Sequence, residues 1–104
     1  MHRGEVWWAN LPKPAGQRPV LLLTRDEAIG IRDCLTVAHI TTRIRHISTE
    51  VALKKDNGLP KDCVVNLDVI NTVDKKHLTT FVARLSEEKL RAVENALKFA
   101  LDLE

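Results

Sequence analysis

Apolar residues repeat along this chain with two periods, and the switch between them marks its organisation. The run "VLLL", Val20 to Leu23, has no polar alternation and reads as the centre of a strand, Arg18–Thr24, buried on both faces. Ahead of it, "GEVWWANL" (Gly4–Leu11) is a β-rich strand closed by the turn-forming "PKPAG". Adjacent Trp7 and Trp8 fall on opposite faces of that strand. One is expected in the core, the other on a partly covered surface, an interface or a stacking partner. The polar "RDEAIGIRD" (Arg25–Asp33) is a loop with room for one helical turn. Cys34–Thr42 is a third strand, and Ser48–Lys55 alternates cleanly, with Thr49, Val51 and Leu53 on one face. "DNGLPKD" (Asp56–Asp62) is a turn or short loop, followed by strands at Cys63–Ile70 and Leu78–Leu85.

From Ser86 the period becomes helical. Leu90, Val93, Leu97 and Leu101 form a stripe widened by Ala96 and Ala100. Ser86 suits the N-cap, and Glu87 and Glu88 suit the first turn, where the helix dipole favours negative charge. Short strands followed by one amphipathic helix, with no βαβ alternation, predict a mainly β fold with helices (α+β). The expected form is a small antiparallel barrel or curled sheet, with the C-terminal helix packed on it, in one domain over residues 1–104.

Composition changes this picture little. Content of 44% hydrophobic and 29% charged residues is that of a folded protein rather than a disordered one. No apolar run approaches the roughly 18 residues that cross a bilayer. The opening "MHRGEVWWANLP" lacks an apolar core of signal-peptide length, so a cytoplasmic protein without membrane contact is expected. Cys34 and Cys63 are too few and isolated for a disulfide framework or zinc site, and read as small reduced core residues. A net charge of +2 permits an anionic partner without demanding one.

Motifs for phosphate loops, nucleophile elbows, H-E-x-x-H zinc helices and CxxC pairs are absent. Two strands carry polar residues at period two. His39, Thr41 and, by extension, Arg43 share one face of the third strand; Asn66 and Asp68 share one face of the fifth. Either face is explained by simple solvation. Arg18, at the lip of the most buried strand, also has two readings: a cation marking where the strand leaves solvent, or a rigidly held guanidinium for an anionic ligand. Spacing alone leaves both open.

The ordered series "RGEVWWANL…GQRPVLLLTRD…LTVAHITTRI…DCVVNLDVINTVDKKHL…LSEEKLRAVENALKFAL" resembles the MazF/PemK family of toxin–antitoxin ribonucleases over essentially the whole chain. The resemblance implies an SH3-like barrel with helices, acting as a homodimer. It implies metal-independent and cofactor-free cleavage of single-stranded RNA (mRNA, tRNA or rRNA), blocked by a cognate antitoxin that lays a flexible acidic tail along the dimer. The family's catalytic arginine in "G-x-R-P" falls on Arg18, and its catalytic Thr or Ser in "I-T" falls on Thr41. An acidic residue used by some members for RNA binding or catalysis falls on Asp68. Gln17, His39, Asn66 and Arg43 are further positions expected to contact RNA or take part in catalysis.

The departures concern substrate grip. "PKPAGQRP" is short and lacks the histidine that many members carry before "G-x-R-P". Asn66 stands where some relatives have arginine, and "I-N-T" at Ile70–Thr72 stands where many have "I-R-T". The residue types suit the chemistry. A 2′-hydroxyl can attack its neighbouring phosphate, leaving the protein to align groups and stabilise charge. Arginine is too basic to serve as a general base, so Arg18 is expected to stabilise charge first and protonate the 5′-oxygen second. The base stays open between Asp68, His39 and water. A different class, a non-catalytic CcdB-like toxin that poisons a protein target, would need a docking surface and no Arg18–Thr41 pair.

Overall fold

The structure is a computed structural model that describes residues 1–55 and 58–104. Six strands form it: β1 (Glu5–Asn10), β2 (Gln17–Leu22), β3 (Cys34–Thr41), β4 (Glu50–Leu53), β5 (Cys63–Asp74) and β6 (Leu78–Arg84). Two helices complete it, a single turn α1 (Asp26–Ile29) and α2 (Glu87–Ala100), and Lys75–His77 is a 3-10 turn. Every strand pair is antiparallel, in the order β4-β5-β3-β2-β1-β6. The sheet is therefore open and curled, with β4 and β6 as its edges, and α2 lies across β4 and β5.

β2 is sandwiched, as its unbroken apolar run predicts. Leu21 and Leu23 enter the core layer under α2 with Val6, Ala38, Ile40, Val65 and Val93. Val20 and Leu22 enter a second layer on the opposite face with Ala9, Leu11, Leu35, Val37 and Leu78. The helix is built as its sequence suggests: Ser86 Oγ accepts from Lys89 N at 3.1 Å, and Val93 and Ala96 are buried. Leu101 departs from the stripe. The helix ends at Ala100, so Leu101 lies past the last turn and is exposed. Trp7 and Trp8 do take opposite faces. Trp7 packs on the second layer and meets Phe81 edge-on at 6.1 Å, whereas Trp8 is 36% exposed.

Three expectations need correction. Cys63 is buried but Cys34 is exposed, because it begins β3 at the sheet's end, opposite Asp74, where nothing covers it. β4 is shorter than its alternation suggested, although Thr49, Val51 and Leu53 are all buried as expected. β5 runs four residues beyond Ile70, since Asn71 to Asp74 continue to pair with β3. Of the Asp56–Asp62 loop, Asp56 and Asn57 lie outside the described residues.

Gly4 marks the tightest join between sheet and helix. Its φ is +90°, its N–H donates to Leu22 O at 3.0 Å, and its carbonyl accepts from Leu85 N at 3.0 Å. A Cβ placed there would stand 3.1 Å from Leu90 Cδ2 on α2. Gly4→Ala should therefore lower stability by roughly 1–3 kcal/mol, from strain in a positive-φ backbone plus displacement of Leu90. Chemical denaturation of the variant checks this, and an unchanged midpoint contradicts it.

Candidate functional site

The β2–β3 register sets the site. The β2–β3 ladder ends at the Val20–His39 pair, and Arg18 and Thr41 lie two residues beyond it, each on its strand, on the face that Val20 and His39 occupy. Arg18 is close enough to His39 for its charge to act on the imidazole. Arg18, His39 and Thr41 line one cavity of ≈ 120 Å³ with Arg43, Arg45, Asn66 and Val69. Three guanidinium groups share this cavity, and no carboxylate among the described residues lines it. Such unbalanced positive charge is a receptor for an anion.

Each of these groups is held by a local device. The turn after β1 closes with Leu11 N donating to Gly16 O at 3.1 Å, and Arg18 Nε donates to Ala15 O at 3.2 Å. That bond pins the base of the guanidinium and leaves its terminal nitrogens without a partner among the described residues. Thr41 ends β3, and its Oγ1 accepts from Arg43 N at 3.1 Å. The hydroxyl proton stays available for donation. Beyond it the chain turns through His46, at φ +57°, and is tied to β4 by Glu50. Glu50 Oε1 accepts from Arg45 N at 2.9 Å and His46 N at 3.1 Å. This brace presents Arg43 and Arg45 to the cavity.

A bulge in β5 supplies the far wall. Ala38 pairs with Ile70 but His39 with Asn66, so Leu67, Asp68 and Val69 have no opposite number on β3. The extra length turns both Asn66 and Asn71 toward His39, and Asn71 Oδ1 lies 2.9 Å from His39 Nε2. Burial pushes the His39 pKa down, the Asn71 hydrogen bond pulls it up, and the nearby Arg18 charge pushes it down again. The net displacement is downward, so the ring is neutral at neutral pH.

The structure thus brings together Arg18, Thr41, His39, Asn66 and Arg43 among the positions singled out in the sequence. Asp68 is exposed on the bulge, where its carboxylate accepts from Thr49 Oγ1 at 2.6 Å and its N–H donates to Asn66 Oδ1 at 2.9 Å; it does not line the cavity. Gln17 is exposed beside Arg18 and opposite Asn10, and also lies outside the lining. Arg45 was not singled out in the sequence, and Asn71 only as a departure from the family's "I-R-T", not as a partner of His39. Arg45 continues the two-residue spacing of Thr41 and Arg43 and was within reach of that pattern. Asn71 was not, because the bulge alters the register that would place it.

Two outcomes follow from this geometry. Glu50→Ala should release the brace; hydrogen bonds to a charged group are worth about 1.5–3 kcal/mol, so Arg45 and His46 amides should exchange with solvent roughly 10- to 100-fold faster. Unchanged exchange by NMR would show that the carboxylate does not hold the loop. For His39, the folded pKa lies below the unfolded value of 6.5. Its contribution to stability is complete above about pH 6.5 and is lost as pH falls through the folded value. Denaturation midpoints taken from about pH 8 to 5 should decline less steeply in His39→Gln than in the parent; equal slopes would rule out His39 as a source of the decline.

Comparison with known proteins gives a consistent result. Residues 2–101 match the family model described as PemK-like, MazF-like toxin of type II toxin-antitoxin system. "Probable endoribonuclease MazF5" of Mycobacterium tuberculosis (strain ATCC 25618 / H37Rv) is 39% identical over 101 residues, covering 96% of this chain and 92% of its own. "Probable endoribonuclease MazF2" of the same strain is 36% identical over 99 residues, covering 94% and 95%. Among solved structures, "Mycobacterium tuberculosis toxin MazF-mt6" superposes with a TM-score of 0.89 at 33% identity, covering 96% of this chain and 98% of that one. "Endoribonuclease in complex with its cognate antitoxin from Mycobacterial species" gives a TM-score of 0.88 at 25% identity, covering 100% and 97%.

Proposed function

The chain belongs to the PemK-like, MazF-like family of type II toxins, and from that premise we propose that it is a sequence-specific endoribonuclease of single-stranded RNA whose activity resides in the Arg18–Thr41 cavity. The observation that carries this reading is the cavity's composition. It gathers guanidinium groups and a hydroxyl, with no acidic group among the described residues lining it. A protein that acted by docking alone, as in a CcdB-like poison, has no chemical need of that arrangement.

The RNA supplies its own nucleophile. Attack of the 2′-hydroxyl on the adjacent phosphate gives a five-coordinate phosphorus with extra negative charge on its non-bridging oxygens. The unpartnered terminal nitrogens of Arg18 offer bidentate donors to those oxygens, and Thr41 Oγ1 adds a third. Since the guanidinium is positioned before substrate arrives, little reorganisation is needed in the transition state. Arg43 and Arg45 neutralise flanking phosphates. Collapse expels the 5′-oxygen, leaving a 2′,3′-cyclic phosphate and a 5′-hydroxyl, with no metal ion required.

The same cationic cleft suits the acidic tail of a cognate antitoxin, which would inhibit by occupying the phosphate positions. The active form is a homodimer. Trp8, Phe81 and Phe99 are exposed aromatic side chains of the kind that interface cores use. The protein acts in the cytoplasm, where its RNA is; no helix among the described residues is long and apolar enough to cross a membrane.

Single-turnover cleavage of one RNA oligonucleotide by folded variants tests the assignment. Arg18→Ala should slow the reaction by about 10²-fold or more, the scale of losing one preorganised oxyanion donor. Arg18→Lys should recover little, because a point charge does not reproduce the planar fork. Thr41→Ala should slow cleavage while Thr41→Ser retains most of it, and EDTA should leave the wild-type rate unchanged. Full activity in Arg18→Ala, or a strict need for magnesium, contradicts the reading.

A further inference from the structure

The mechanism above leaves unassigned the group that takes the 2′-hydroxyl proton. Arg18, Arg43 and Arg45 are too basic to accept it at neutral pH, and the Asp68 carboxylate is bound to Thr49 outside the cavity. Among the cavity's side chains only His39 is a base of the right strength. Its surroundings prepare it for that role in three ways.

The first is tautomer. An amide oxygen accepts and does not donate, so the 2.9 Å contact to Asn71 Oδ1 places the ring proton on Nε2. In the neutral ring Nδ1 then carries the bare lone pair. The second is access. His39 is only 9% exposed, yet Nδ1 has no hydrogen-bond partner among the described residues and is not sealed from solvent in the way that Glu50 Oε2 is. His39 is one of the side chains that line the cavity. The third is charge. The groups facing His39 are Arg18 from β2, Asn66 and Asn71 from β5, and Arg43 and Arg45 from the loop after β3. None is anionic, so no nearby charge among the described residues favours the imidazolium; the Asn71 hydrogen bond does favour it, and burial together with the Arg18 charge outweighs that bond.

Resting on the ribonuclease reading, we infer that His39 is the general base of this enzyme, with Nδ1 as the accepting atom and Asn71 as the positioning residue that fixes its tautomer and orientation. Nδ1 takes the proton from the 2′-hydroxyl as O2′ bonds to phosphorus. The P–O5′ bond breaks, and O5′ takes a proton from water. The hydroxide so formed removes the proton from Nδ1, which restores both water and the neutral ring. Arg18, which shares the cavity with His39, stabilises the phosphorane while its charge keeps the imidazole free to accept.

The pH dependence of single-turnover cleavage, measured from about pH 5 to 8.5 on one RNA oligonucleotide, separates this from a structural histidine. Measured below saturation, so that it reports the free protein, the wild-type rate should rise along an acid limb whose midpoint lies below 6.5, the ordinary histidine value. His39→Gln should lower the plateau by about 10²-fold or more and abolish that limb. Asn71→Asp keeps an acceptor at Nε2 but makes it anionic, which favours the imidazolium, so the midpoint should move to higher pH. Arg18→Ala should lower the plateau and still show a limb. A folded His39→Gln with wild-type rate and profile would overturn the inference while leaving the ribonuclease reading intact. If His39→Gln fails to fold, Asn71→Asp decides: a limb that stays in place overturns the inference. A wild-type protein that cuts no RNA at any pH removes both.

Discussion

The structure depends on β2 being buried on both faces. Leu21 and Leu23 insert into one apolar layer and Val20 and Leu22 into the other, so the strand cannot slide or rotate without exposing four large side chains. Burying each is worth about 1.5–3 kcal/mol, which makes a one-residue slip prohibitive. Arg18 is the strand's second residue and inherits that rigidity. Pairing of Val20 with His39 passes it on to β3 and sets where Thr41 stands. The active-site geometry is thus a consequence of core packing two residues away.

That rigidity matters because the site is electrostatically unfavourable when empty. Arg18, Arg43 and Arg45 repel one another across a small cavity, and a flexible scaffold would relax by splaying them into water. Here the Ala15 carbonyl and the Glu50 carboxylate hold the two segments that carry them. In the proposed reaction, stabilisation is recovered when phosphate arrives, and most strongly when charge builds on it. A neutral His39 belongs to the same logic, since a charged imidazole would add to the repulsion.

Local chemistry made much of this visible in the chain. The apolar Val20–Leu23 run, the Ser86 cap and the Leu90–Val93–Leu97 stripe predict elements that the fold contains, because each rests on short-range physics. Arg18, His39, Thr41 and Arg43 were singled out from spacing and resemblance, and the sheet converges them. What stayed hidden depends on tertiary register. The bulge at Leu67–Val69 breaks the alternation along β5, so the expectation that Asn66 and Asp68 act together could not foresee that one faces the cavity and the other Thr49. Asn71 stood out in the chain only as a departure from "I-R-T"; its hydrogen bond to His39 depends on that bulge. Cys34 was misplaced for a similar reason: an apolar neighbourhood in sequence says nothing about whether a strand's first residue is covered.

The central claim is that the scissile phosphate sits between Arg18 and Thr41. The most direct measurement is a crystal structure with an RNA oligonucleotide carrying a single 2′-deoxy residue at the cleavage position, which binds but cannot react. The account predicts a non-bridging phosphate oxygen within hydrogen-bonding distance of the Arg18 terminal nitrogens and of Thr41 Oγ1, with the missing 2′-hydroxyl's position facing His39. A backbone phosphate seated elsewhere, with Arg18 still bound only to Ala15, would contradict it.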